Sequence, residues 1–322
     1  MKIGLYSITF LGVWYRGEGL TLEQVVDRAR EYGYAGIEID GKRPHGNPLD
    51  LPRSRCLEIR QRADDAGTPI YAVAANNDFS SSIPEHRESQ LAYVRELIRM
   101  TADLGAPTLR VFAAWPGVTL SSNGGRYDIA RRVWADAHQE DTSESMWDRC
   151  RDGLSECAVW AADRGVTLAL QNHPPVIHDG NEVLRMIREV GSPALKACFD
   201  APLARKQGVA SMHQAVDAVG ALQVLTHFGG EYDIGADGRV VSYVRRPDGD
   251  LEPEDFYTDF VRASIERGYD GYIGYELCHP LPQENGRTVG LEFAERNAKL
   301  AAEFMQATIQ AVQLRAEPLA PT

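Results

Sequence analysis

The sequence predicts a single-domain α/β protein, a (β/α)8 TIM barrel, on three observations. Eight short β-rich runs alternate with stretches of helical periodicity. Four helix-to-strand joints, YGYAGIEI, DLGAPTLRV, DRGVTLAL and ERGYDGYIGYE, each carry a glycine where a helix C-terminus favours a left-handed residue. No GxGxxG follows any strand, which argues against a doubly wound open sheet, and parallel strands with helical crossovers can close at eight.

The elements follow in order. The first strand, KIGLYSI, covers residues 2–8, and its helix covers 21–32, with Thr21 as N-cap and Glu23 and Gln24 in the first turn. The second strand is 36–39. Its helix, 52–66, opens on a proline, where the missing N–H does no harm. The third pair is 70–75 and 84–104. Strand four, TLRVF, is 108–112, and its helix, 144–164, begins only after a long polar connection. The next pairs are 167–171 with 181–190, 195–199 with 210–219, 223–228 with 254–267, and 271–276 with 290–313. The barrel is thus expected over 1–313. Two segments break the rhythm, 113–143 and 229–251. Both follow strands, so both belong to the catalytic face, and loops this long are more often functional than idle. Residues 314–322, rich in Pro and Ala, read as a flexible tail.

Composition narrows the function. Of 322 residues, 43% are hydrophobic and 25% charged, an ordinary globular balance. Lys plus Arg number 34 against 46 Asp plus Glu, a net charge of −12 that argues against a nucleic-acid partner. No apolar run reaches the roughly 18 residues of a membrane span. The N-terminus has neither an apolar h-region nor a cleavage site, and the five cysteines form no CxxC pair. These features predict a cytoplasmic protein with reduced thiols.

Polar residues gather at the carboxyl ends of strands that are otherwise apolar. Glu38 and Asp40 end the second strand, and Asn76 and Asn77 follow the third. Arg110 lies on the fourth with Trp115 beyond it. Gln171, Asn172 and His173 close the fifth. Asp200, His227 and Glu276 close the last three, with His279 just after. An unpaired carboxylate in an apolar barrel is costly, and convergence on a divalent cation offsets that cost. Carboxylate, imidazole and amide oxygen suit Mn2+, Mg2+ or Co2+; Zn2+ fits but is not demanded, because no cysteine joins this set. Taken singly, Asp200 reads equally as a cap, His227 as a hydrogen-bonded core residue, and Glu38 and Arg110 as partners of each other. His45, His86, His138 and His213 read as solvated loop or helix-face residues.

The motifs VTLALQNH, LKACFDAPL, LTHFGGE and YIGYELCHP resemble those of the xylose isomerase-like TIM barrels, the sugar phosphate isomerase/epimerase group, over nearly the whole chain. That resemblance implies a metal site formed by a Glu, an Asp, a His and a Glu, here Gln171, Asp200, His227 and Glu276, at spacings of 29, 27 and 49 residues. It implies one divalent metal, with Mn2+ favoured. Gln171 departs from the pattern: an amide oxygen ligates but carries no charge and cannot act as a base. The two-glutamate proton relay of the family's epimerases is therefore not available. His173 becomes the expected base, with Glu276 as the alternative.

Glu38, Asn76, Arg110, Trp115 and His279 are expected to bind substrate. The chain is thus expected to be a metal-dependent sugar isomerase or epimerase that removes a proton beside a carbonyl. Two alternatives stand. One resembles the C-glycoside deglycosidase catalytic subunits, lyases that cleave 3-oxo-glycosides by elimination. The other is a decayed sugar-binding or partner subunit. The expected partners are an unphosphorylated sugar or glycoside and further protein chains: an oligomer, with a small second subunit on the deglycosidase reading.

Overall fold

The computed structural model describes residues 1–121, 123–204, 208–246 and 249–316. Its centre is one eight-stranded sheet. We number the barrel strands β1 (Lys2–Tyr6), β2 (Ile37–Asp40), β3 (Ile70–Ala74), β4 (Thr108–Val111), β5 (Thr167–Gln171), β6 (Leu195–Cys198), β7 (Leu225–Gly229) and β8 (Tyr272–Glu276). Neighbours in sequence pair in parallel, and β8 returns to β1 with Lys2 opposite Tyr272. The remaining seam, β6 to β7, is thin: a single bridge joins Ala197 and Gln223, and the Val224 N–H donates to the Ala197 carbonyl at 3.0 Å. The closed barrel expected from the sequence is present.

Helices cover the strands. Thr21 caps the first with a full capping box, its side chain accepting from the Gln24 N–H while its own N–H is held by the Gln24 side chain. Gly33, Gly105, Gly165 and Gly268, at the four similar joints, all have φ between 66° and 79°, the left-handed conformation the joints required.

Several expectations are corrected. The first strand stops at Tyr6, where a 3-10 turn, Ser7–Phe10, takes over. The connection 113–143 is not loop throughout. It holds a hairpin, Thr119–Ser121 with Gly124–Arg126, and a helix, Tyr127–Ala137. None of that helix's residues is fully buried, and only Tyr127 and Trp134 pack against the core, so its apolar stripe is a weak signal. The segment 229–251 opens a three-stranded antiparallel sheet, Glu231–Ile234, Val240–Arg245 and Leu251–Glu254. His45 and His138 are buried rather than solvated, bonded to the Leu20 carbonyl and to Ser80 and the Trp134 carbonyl respectively. The last helix, Leu291–Ala316, runs through the start of the expected tail, and 317–322 lie outside the described residues. No helix among the described residues is long and apolar enough to cross a membrane.

The lower half of the barrel is filled by Tyr71. Its ring stacks on Tyr272 at 4.1 Å, and Gly4 and Gly274 make room for it: a Cβ on either would fall 2.6 Å or less from Tyr71 atoms. The Tyr71 hydroxyl is buried without a partner. Gly4→Ala should therefore cost about 1–3 kcal/mol through overpacking. Tyr71→Phe, which deletes an unsatisfied polar atom, should leave stability unchanged or raised. Urea unfolding of both variants checks this packing, and a fully tolerated Gly4→Ala would refute it.

Candidate active site

The carboxyl ends of the strands place the polar residues in one bowl. Side chains alternate across a strand, so Glu38 and Asp40 at the end of β2 both turn inward, as do Cys198 and, two residues on, Asp200. His227, on β7, is fully buried at the floor. Its Nε2 lies 2.7 Å from Glu38 Oε2 and its Nδ1 2.8 Å from Asp200 Oδ1. Asp200 Oδ1 also accepts the His227 backbone N–H at 2.8 Å. The Asp200 N–H in turn donates to Asn172 Oδ1 at 2.6 Å.

Arg110 is the second hub. Its Nε donates to Glu38 Oε1 at 3.0 Å, Nη1 to Gln171 Oε1 at 2.6 Å and Nη2 to the Tyr6 hydroxyl at 2.7 Å. The Tyr6 hydroxyl donates to Asp40 Oδ2 at 2.7 Å, and Asn76 Nδ2 donates to Asp40 Oδ1 at 2.8 Å. Burial alone would push Glu38 up, but His227 and Arg110 outweigh it and hold its carboxyl below the ordinary range. Burial likewise works against charge on His227, and Glu38 and Asp200 reverse it, raising the imidazole well above its usual value.

The cavity above this floor encloses about 260 Å3. Asn76, Arg110, Trp115, Gln171, His173, Asp200, Glu276 and His279 all line it. Glu38 and His227 lie beneath, so Glu38 supports the floor rather than reaching into the space. All ten residues expected from the sequence thus meet in one region. Trp115 stacks on Phe112 and stands perpendicular to His173 at 4.6 Å, which makes an aromatic wall. His279 meets Glu231, itself paired with Arg245 from the three-stranded sheet.

His173 Nδ1–H donates to the Pro174 carbonyl at 2.6 Å, which leaves the Nε2 lone pair free. Burial pushes its pKa down to about 4, so the ring is neutral at neutral pH. Burial, helped by Asp200, pushes Glu276 up to about 7.

The floor fits a cation. Asp200 Oδ2 is buried with no partner. With Nε2–H given to Glu38, the Nδ1 lone pair of His227 faces the Asp200 carboxylate, and only a proton or a metal ion relieves that contact. Among the described residues, Cys198, Asp200 and His227 bring donor atoms within 4.8 Å of one another.

Sequence reasoning missed Cys198, Tyr6, Tyr127, Arg131 and Arg245 as parts of this region. Cys198 was recoverable from the period of two that separates it from Asp200. Tyr127, Arg131 and Arg245 were not, because they reach the cavity from elements whose local patterns do not announce where they fold.

Arg110→Met removes the donors of three buried partners and leaves Glu38 short of a counter-charge. Breaking a buried pair in this way costs about 3–5 kcal/mol, and denaturant unfolding should record a loss of that order. Stability equal to the parent protein would refute the hub.

Residues 26–308 match the family described as Xylose isomerase-like TIM barrel. Fructoselysine 3-epimerase of Shigella flexneri is 26% identical over 288 residues, covering 86% of this chain and 90% of that protein. Among solved structures, L-ribulose 3-epimerase superposes with a TM-score of 0.69 at 17% identity, covering 99% of both chains. The 3-keto-D-glucoside 4-epimerase of E. coli does so with a TM-score of 0.66 at 18% identity, covering 95% of this chain and 99% of its own. The structural likenesses carry the fold. With the match running through almost every βα unit that builds the bowl, the chain belongs to the xylose isomerase-like TIM barrel family.

Proposed function

We propose that the protein is a divalent-metal-dependent sugar epimerase or isomerase that exchanges a carbon-bound proton beside a carbonyl. The observation that carries this reading is geometric: one cavity is lined by both an imidazole with a free Nε2, His173, and a carboxyl group, Glu276. His173, with Nδ1 tied to Pro174, presents Nε2 as the base. Glu276, on the same cavity, is the carboxyl group placed to return the proton. This pair does the work that two glutamates would share in the family, a task Gln171 cannot perform because an amide neither takes nor gives a proton in this range. The relatedness to fructoselysine 3-epimerase supports a keto-sugar substrate.

Asp200, His227 and Glu276 are the residues we assign to the metal. A divalent cation held there supplies Lewis acidity that makes the substrate C–H more acidic. Glu38 orients His227 from behind, and Arg110 holds Glu38. Gln171 Oε1 is engaged by Arg110, so its part is to anchor the guanidinium at the cavity wall. Trp115 offers a flat apolar wall to a sugar or aglycone, while Asn76 and His279 offer polar contacts at the rim.

A second reading, elimination on a 3-oxo-glycoside, is favoured by the same Gln171, since elimination needs one base and not a carboxylate pair. Incubation with free ketoses and with 3-oxo-glycosides separates the two: an epimerised sugar supports the first, a released aglycone the second.

His173→Ala should keep its metal by elemental analysis and lose about 10²–10⁴-fold in the rate of substrate C–H exchange with D2O. Asp200→Ala should lose the metal itself. Full metal content in Asp200→Ala, or undiminished exchange in His173→Ala, would overturn the corresponding assignment.

A further inference from the structure

We propose, resting on the metal-site reading above, that the Cys198 thiol completes the cation site in place of Gln171, so that the site selects a borderline-soft cation, Co2+ or Zn2+, over Mn2+ or Mg2+. A buried cysteine is most often a packing residue, and Cys150 and Cys157 are of that kind, set in the helical layer. Three observations separate Cys198 from them.

The first is distance. Cys198 Sγ lies 3.8 Å from His227 Nδ1. For bonds of about 2.3 Å to sulfur and 2.1 Å to nitrogen, the S···N edge of a tetrahedral site is roughly 3.6 Å. The pair is therefore spaced as two ligands of one ion are.

The second is the unmet demand beside it. Asp200 Oδ2 is buried without a partner, on a residue only 1% exposed. Cys198, Asp200 and His227 form a compact donor cluster among the described residues, with donor atoms within 4.8 Å of one another.

The third is the state of Gln171. Its Oε1 accepts a 2.6 Å bond from the Arg110 guanidinium, which aims a cation at the donor the family pattern would offer to the metal. A thiolate restores the negative charge that the amide lacks. On binding, the thiol proton and any proton on His227 Nδ1 pass to solvent, and Sγ and Nδ1 bond the ion through the freed lone pairs. A thiolate in the donor set moves preference from hard cations toward Zn2+ and Co2+.

The test is a titration of metal-free protein with Co2+ under anaerobic, reducing conditions, read by absorption. A thiolate-to-cobalt charge-transfer band in the near ultraviolet should grow to saturation at one equivalent. It should vanish in Cys198→Ser and persist in Cys278→Ser, the thiol that borders the cavity. Offered Zn2+ and Mn2+ together, the parent protein should retain zinc, and Cys198→Ser should shift that ratio toward manganese.

Cobalt bound at one equivalent with ligand-field bands alone would overturn the proposal and leave the metal site standing. No cobalt binding would overturn the metal reading as well. A band lost in Cys278→Ser instead would overturn the assignment to Cys198. Because the parent spectrum and Cys278→Ser suffice for these outcomes, a Cys198→Ser variant that failed to fold would not shield the proposal.

Discussion

The rest of the structure depends on one buried imidazole held between two carboxylates. His227 touches Glu38 on one side and Asp200 on the other, and all three are buried. Charges at that depth persist only when each is compensated. Compensation runs outward from Glu38 to Arg110, from Arg110 to Tyr6 and Gln171, and from Tyr6 to Asp40. The chain of contacts crosses the barrel from β1 to β7, so each member is positioned by strands distant in sequence.

The same side chains help close the barrel. Between β6 and β7 the backbone ladder is reduced to a bridge, and side chains replace it. Gln223 bonds both the Phe199 N–H and its carbonyl, at 3.0 and 2.9 Å, and Thr226 Oγ1 donates to the same carbonyl at 2.9 Å. Asp200 Oδ1 takes the His227 N–H. The seam that carries two of the assigned metal ligands is thus held by polar side chains whose geometry is fixed by neighbours. That arrangement sets Asp200 and His227 face to face without relying on the ladder that registers the other strands.

How much of this was legible follows from where each signal resides. The βα rhythm and the four glycine joints are local signals, and they gave the barrel. Strand-end polar residues such as Asp200 and Glu276 stood out because the strands around them are apolar. Arg110 and Glu38 were read both as substrate contacts and as each other's partner. The structure makes them partners, because their distance across the bowl depends on strand order rather than on sequence spacing. The helix Tyr127–Ala137 was hidden for a different reason: it lies over the cavity and buries none of its residues fully, so its apolar face gives only a weak signal. The sheet that brings Arg245 to the rim was hidden because its strands are short and half exposed.

Gln171 is best understood together with Arg110 in physical terms. A glutamate at 171 would place its carboxylate against a guanidinium that already serves Glu38, and would spend on an ion pair the charge that a metal requires. An amide accepts the same Arg110 hydrogen bond without competing for Glu38, and Glu38 remains free to fix the His227 ring. On the proposed function, the cost is one anionic ligand and one carboxylate base. On that reading, both losses fall within reach of nearby residues: His173 stands two past Gln171, the last residue of β5, and Cys198, the last residue of β6, precedes Asp200 by two. Strand periodicity keeps such residues on the same inward side, so the barrel can exchange one donor for another without moving a strand.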